Sequence, residues 1–370
     1  MNEKRIIDEF LELVQIDSHS SKEGKIAGVL IKKLEDLGFD VYVDDAGEKL
    51  NGETGNIIAT LKGTKDTKKI LFSSHMDTVS PGEGVKPIID EEAGIIKTDG
   101  TTILGSDDKA GIVATLEGVR MIKENNVEHG DIQVAFSIWE EGGLNGAKYM
   151  DYSKIDVDFS FVLDSGGSPG EVITQAPAQD AIKVKIQGKP AHAGLMPEKG
   201  ISAVMVAARA IEKMNLLRID EETTANIGTI NGGIATNIVM PELEITAEAR
   251  SLCNDKLAKQ SEHMKKCFEE ACEEFNTTCE VDIVRSYSAF KIEDNDEIID
   301  VLRKAFDNMG VETTLASTGG GSDTNIMNKN GLKAVILGVG MKKVHTLEEY
   351  IAIKDLVDSA KMVFEIIKSV

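Results

Sequence analysis

Several imidazoles and carboxylates in this chain stand where proton transfer or cation binding is possible. His75-Met76-Asp77 follows the run Lys69–Phe72, Glu140-Glu141 follows Ile132–Ile138, and Asp164 follows Phe159–Leu163. His345 lies in the loop after a fourth run, Ala334–Leu337. Short, mostly apolar runs of this kind read as strands buried on both faces. In open α/β sheets, ligands bind beyond the carboxyl ends of the strands. The side chains after these runs are therefore expected to converge on one crevice. Any one of them alone is ordinary surface decoration; four at equivalent strand ends carry the expectation. Gly105-Ser106-Asp107-Asp108-Lys109-Ala110-Gly111 adds the strongest single motif. A capped helix N-terminus explains Ser106 and the acids. It does not explain a lysine and a glycine directly behind two acids beside a sheet crevice.

The elements that must position these groups can be read from periodicity. Helical spacing recurs at Ile6, Phe10, Leu13 and Val14, at Ile26, Leu30, Leu34 and Leu37, and over Lys109–Lys123, Glu297–Met309 and from Ile353 onward. Between about 180 and 285 the pattern changes to alternating strands and two helical stripes, in the order β-α-β-β-α-β of a ferredoxin-like unit. The fold class expected is an α/β catalytic domain, a mixed or parallel sheet between helices, built from 1–177 and 287–370. Residues 178–286 are expected to form an inserted α+β lid or dimerisation domain.

Composition excludes other classes. The 370 residues carry 41 basic and 63 acidic side chains, a formal charge of −22. Nucleic acid and anionic membranes attract basic patches, so neither is expected as a partner. No apolar run approaches the ~20 residues that span a bilayer, and Met1–Arg5 is expected to lead into an amphipathic stretch rather than a signal-peptide core. Cys253, Cys267, Cys272 and Cys279 form no CxxC pair. They are expected to be buried apolar side chains in a cytoplasmic protein.

Taken in order, His75-x-Asp77, Gly105–Gly111, Glu140-Glu141-Gly142, Asp164 and His345-Thr346-x-x-Glu349 resemble the M20 metallopeptidases. Thr98–Gly105 followed by Ser-Asp-Asp-Lys-Ala-Gly is most similar to the peptidase T branch, the aminotripeptidases. The resemblance covers essentially the whole chain. It implies a zinc-exopeptidase-type fold and two divalent metal ions, zinc with cobalt or manganese as alternatives. His75 and Asp164 would hold one ion, Glu141 and His345 the other, and Asp107 would bridge them. Asp108, next to the bridge, would shape the turn. Asp77 would accept the free N–H of His75, and Glu140 would be the general base toward the attacking water. The resemblance also implies a homodimer in which His192 reaches the partner's active site, and substrate contacts from Asn237, Arg250 and the Gly319–Gly321 loop through Gly320. Glu349 either orders the His345 loop or is simply an acid near a helix start.

The implied activity is hydrolysis of short peptides from the amino end. This chain has Ala191-His192-Ala193-Gly194 where that branch generally has Ser-His-Pro-Gly, and Ile138-Trp139 where Pro-Asp often precedes the acid pair. Substrate length therefore stays open. An N-acyl amino acid deacylase or carboxypeptidase could use the same dinuclear site. A binding protein that has lost catalysis is disfavoured, because Glu140 and all five ligand positions are present.

Overall fold

The apolar runs become neighbouring strands. In the computed structural model, which describes residues 1–370, Ile70–His75 pairs in parallel with Ile132–Ser137 on one side and Phe159–Ser165 on the other. Phe159–Ser165 pairs in parallel with Ala334–Gly338. These four strands are the middle of a nine-stranded mixed sheet. Every residue of Ile70–His75, Ile132–Ser137 and Ala334–Gly338 is buried, as required of strands covered on both faces. Ile57–Leu61 and Asp40–Val43 extend one side antiparallel, while Glu171–Ala176 and Thr314–Ser317 lie on the other.

Parallel pairing brings the carboxyl ends to one edge. His75 is the register partner of Ser137. Continuing the pairing of Ser73 with Val162 by two residues sets Asp164 opposite His75. Helix Ser106–Glu124 runs against these strands and is buried along nearly its whole length. Asp107 and Asp108 depart from helical dihedrals, and regular helix begins at Lys109. Gly111 permits the close approach. A Cβ there would lie 2.5 Å from the carbonyl oxygen of Leu163 and from Ser74 Oγ, nearer than real contacts allow. The glycine that a helix cap left unexplained is thus a packing requirement.

The chain forms two compact units, Met1–Gln175 with Lys291–Ser317 and Ser322–Val370, and Ala176–Phe290 with Thr318–Gly321. The second is a five-stranded antiparallel sheet in the order Leu217–Arg218, Thr223–Gly232, Glu242–Ser251, Ala178–Gln187, Cys279–Tyr287. Helices Ala203–Glu212 and Asn254–Glu274 pack on it around their own core, which includes Ile182, Val206, Leu257, Met264 and Phe268. Leu217–Arg218 apart, this is the ferredoxin-like order read from the alternation. All four cysteines are free, and Cys267 and Cys272 are buried in this core. A small sheet of Met341–Lys342, Tyr350–Ala352, Ile95–Lys97 and Ile88–Asp90 was not expected, since strands of two or three residues show no periodicity. No helix is long and apolar enough to cross a membrane.

Candidate metal centre

Asp107 sits between two imidazoles, with one carboxylate oxygen toward each. Its Oδ1 is 3.0 Å from His75 Nε2 and its Oδ2 is 3.2 Å from His345 Nε2. His345 Nε2 also lies 2.8 Å from Glu141 Oε1. Ligand atoms of His75, Asp107 and Glu141 fall within 4.8 Å of one another, as do those of His75, Asp108 and Asp164. Nitrogen and carboxylate donors at this spacing suit divalent cations. Asp108 also bonds to the backbone. Its Oδ2 accepts the backbone N–H of His75 at 3.2 Å and its Oδ1 the N–H of Gly111 at 3.3 Å. It therefore pins the helix start to the strand end, the turn-shaping role its position suggested.

The expected partnership of Asp77 and His75 is present with a difference. His75 Nδ1 is 2.9 Å from the backbone oxygen of Asp77 and 3.4 Å from its Oδ1. The backbone carbonyl is the nearer acceptor for Nδ1–H, which leaves Nε2 for a metal. The Asp77 carboxylate is fully buried and accepts the N–H of Glu140 at 2.9 Å, the N–H of Glu141 at 3.2 Å and the Ser20 hydroxyl at 2.6 Å. Asn56 Oδ1 takes the N–H of Ile138 at 3.0 Å, and Glu23 Oε1 the N–H of Trp139 at 3.0 Å. The residues beyond the end of strand Ile132–Ser137 are thus held by side chains. Asn56, Ser20 and Glu23 escape sequence reasoning, because single polar residues far away in the chain carry no pattern. So does the site role of Asp323, a buried acid whose Oδ2 accepts the Ser137 hydroxyl.

Glu349 is 1 % exposed, and its carboxylate reaches a segment that neither expectation named. Its Oε2 accepts the N–H groups of Leu104 and Gly105 at 2.8 and 3.0 Å. Its Oε1 accepts the N–H and hydroxyl of Ser106 at 2.8 and 2.6 Å and the N–H of Asp107 at 3.3 Å. One carboxylate thus satisfies the amides that lead into Asp107. Replacing it by alanine leaves buried donors without acceptors, each worth about 1–3 kcal/mol. Glu349→Ala is expected to destabilise the protein by about 2–4 kcal/mol in urea unfolding. A loss below about 0.5 kcal/mol would show that water replaces the clamp.

Charge crowding is the dominant electrostatic fact. Burial, with Asp164, Asp323 and Glu141 nearby, pushes the Glu140 carboxyl well above the ordinary range, against the pull of His75. Burial does the same to Asp164 and Asp108. Asp107 resists burial because hydrogen bonds from His345 and His75 hold it low. Its bonds, with those of Glu141, raise His345 to about 10. Lys109 is 1 % exposed, and burial lowers it to about 8 although Glu349, Asp17 and Asp77 face it. A cluster with this many acids against two imidazoles and one buried lysine is short of positive charge, which divalent cations supply.

The remaining expected residues lie in the second unit and fall into two pairs. His192 is exposed, its Nδ1 accepts the Gly194 N–H at 3.2 Å, and it bridges to Ile238. The carbonyl of Asn237 accepts the Ala193 N–H at 2.9 Å, so His192 and Asn237 share one loop pairing. Arg250 holds Glu248 through Nε and Nη2 at 3.0 and 3.1 Å, and its Nη1 donates to the Gly319 carbonyl at 3.2 Å. The arginine thereby fixes the turn that carries Gly320.

Comparison with known proteins places the chain. Residues 71–369 match the model of "Peptidase family M20/M25/M40". YqjE of Bacillus subtilis is 49% identical over 368 residues, covering 100% of this chain and 99% of that protein. The crystal structure of aminopeptidase PepT from Bacillus cereus has a TM-score of 0.94 at 44% identity, covering 100% of this chain and 99% of that one. That of a tripeptidase from Staphylococcus aureus has a TM-score of 0.97 at 43% identity, covering 100% and 98%. With the ligand geometry these place the protein among metal-dependent hydrolases, and the chain belongs to peptidase family M20/M25/M40.

Proposed function

We propose that the protein is a metal-dependent exopeptidase of short peptides, acting from the amino end, with tripeptides among its substrates. The observation that supports this most is Asp107 set between His75 and His345, with Glu140 buried beside them. His75, Asp164 and Asp107 would hold one ion, and Asp107, Glu141 and His345 the other. Zinc fits the two imidazoles and the carboxylates best, with cobalt or manganese able to substitute. When bound, the ions polarise the scissile carbonyl and lower the pKa of the attacking water.

The chain's own residues perform the proton chemistry. Glu140 is the general base in this reading: it removes a proton from water at attack and delivers one to the leaving amine. A buried carboxyl pushed upward is suited to both transfers. Asp77 aims Glu140 and Glu141 through their backbone N–H groups. His192 is assigned to stabilise the developing oxyanion, and Asn237, Arg250 and Gly320 to contact the peptide. The PepT and tripeptidase names of the relatives at 43–44% identity favour tripeptides over acylated amino acids.

A homodimer is part of this reading. Leu195, Met196, Val204 and Met205 are large apolar side chains exposed along helix Ala203–Glu212 and the loop before it. A monomer at micromolar concentration in analytical ultracentrifugation would remove it. Free cysteines fit a reducing, cytoplasmic setting. The deciding assay digests tripeptides, dipeptides and N-acetyl amino acids with zinc, cobalt and manganese, read by mass spectrometry. Loss of the N-terminal residue from tripeptides is the expected result. Cleavage confined to acetylated substrates would transfer the site to a deacylase.

A further inference from the structure

Glu23 is a buried acid to which the proposed reaction gives no role. It is fully buried at the start of helix Gly24–Asp36, yet its side chain makes no capping bond to that helix. Oε1 instead accepts the N–H of Ser21 and the N–H of Trp139, both at 3.0 Å. Oε2 is buried with no hydrogen-bond partner. The contact with Trp139 joins residues 116 apart in the chain.

Trp139 is the unusual residue at the other end. Its φ is +50°, the left-handed region, which costs a non-glycine residue about 1–2 kcal/mol. Such a conformation persists only where its surroundings enforce it. Here its N–H goes to Glu23, its carbonyl accepts the Asn145 N–H at 3.0 Å, and its ring packs on Gly142. A Cβ at Gly142 would lie 1.9 Å from the indole. This turn immediately precedes Glu140 and Glu141.

We infer that Glu23 is a positioning residue for hydrolysis, holding through the Trp139 N–H the left-handed turn from which Glu140 and Glu141 project. The inference rests on the assignment of Glu140 as the base. What the turn needs from Glu23 is an acceptor of the right reach, and its charge is incidental. In agreement, burial and the nearby Asp77 raise this carboxyl to about 7, so the surroundings penalise its charge while Oε1 holds both bonds.

Two near-isosteric variants separate reach from charge. Glu23→Gln keeps the acceptor and its reach without the charge. Glu23→Asp keeps the charge and is one methylene short. With the zinc-loaded enzyme and the best peptide of the panel, Glu23→Asp is expected to lose about 10- to 100-fold in kcat. Its KM should stay within about threefold, and its metal content should match wild type. Glu23→Gln should stay within about fivefold of wild-type kcat. Wild-type kcat in Glu23→Asp, an equal loss in both variants, or a loss tracking missing metal would each overturn the inference. Glu140→Ala in the same assay keeps the two readings apart. If it retains turnover, the base assignment fails. If it is inactive while Glu23→Asp is wild type, only the role of Glu23 fails.

Discussion

Glu140→Ala is expected to lower kcat by about 10²- to 10⁴-fold, the range by which a positioned base contributes, with metal content unchanged. The structure gives the reason for the second half. Glu140 is 9 % exposed and stands outside both clusters of metal-ligating atoms, whereas its neighbour Glu141 belongs to one of them. The backbone N–H groups of both are bound to the two oxygens of Asp77, and truncating one side chain leaves those bonds in place. Metal analysis by mass spectrometry, run beside steady-state kinetics on the same preparation, reads both quantities. Loss of either ion in Glu140→Ala would mean that the roles of the adjacent acids are exchanged or shared.

Chelation is expected to abolish activity, with recovery on adding zinc, cobalt or manganese, and to change how stability depends on pH. In the metal-free protein the folded pKa of His345 is about 10, and that of His75 is raised by Asp107 and Asp77 against burial. Stability from a raised imidazole is fully present below its unfolded value of about 6.5 and is lost as pH rises toward the folded value. Glu140, Asp108 and Asp164 are raised too, so charging them also weakens the metal-free fold as pH rises. Asp107 and Asp77, held low, act in the opposite sense only below about pH 4. Metal binding needs deprotonated ligands and so gains with pH. The melting temperature of chelated protein should therefore fall between about pH 6 and 9, and its gap from the loaded protein should widen. At ion concentrations about 1,000-fold over Kd the gap corresponds to about 4 kcal/mol. A gap that narrows over this interval would contradict the charge-crowding account.

Much of this centre was legible because it is built from strand ends. Continuous apolar runs marked Ile70–His75, Ile132–Ser137, Phe159–Ser165 and Ala334–Gly338 to within a few residues, and parallel pairing did the rest. The alternation between about 180 and 285 likewise exposed the ferredoxin-like order. The supporting residues were not legible. Glu23, Asn56 and Asp323 act through side-chain hydrogen bonds to residues remote in the chain. Nothing in their neighbours' periodicity distinguishes them from solvated polar residues. Asp77 is expected beside His75, but its larger duty to the amides of Glu140 and Glu141 depends on a turn that sequence pattern does not encode. Glu349 was ambiguous for the same reason, since neither of its readings names the remote amides of Leu104–Asp107 that it binds.

The turn at Trp139 also bears on how the protein can be observed. Trp139 is the only tryptophan in the chain, half-buried and packed against the main core, one residue before Glu140. Intrinsic fluorescence of the unmodified protein is therefore a signal from a single place, the loop that carries two of the acids of the centre. Ion loading, peptide binding and local loosening can each be followed as a change in emission without attaching a dye. The same indole that needs Gly142 for room makes this molecule its own reporter.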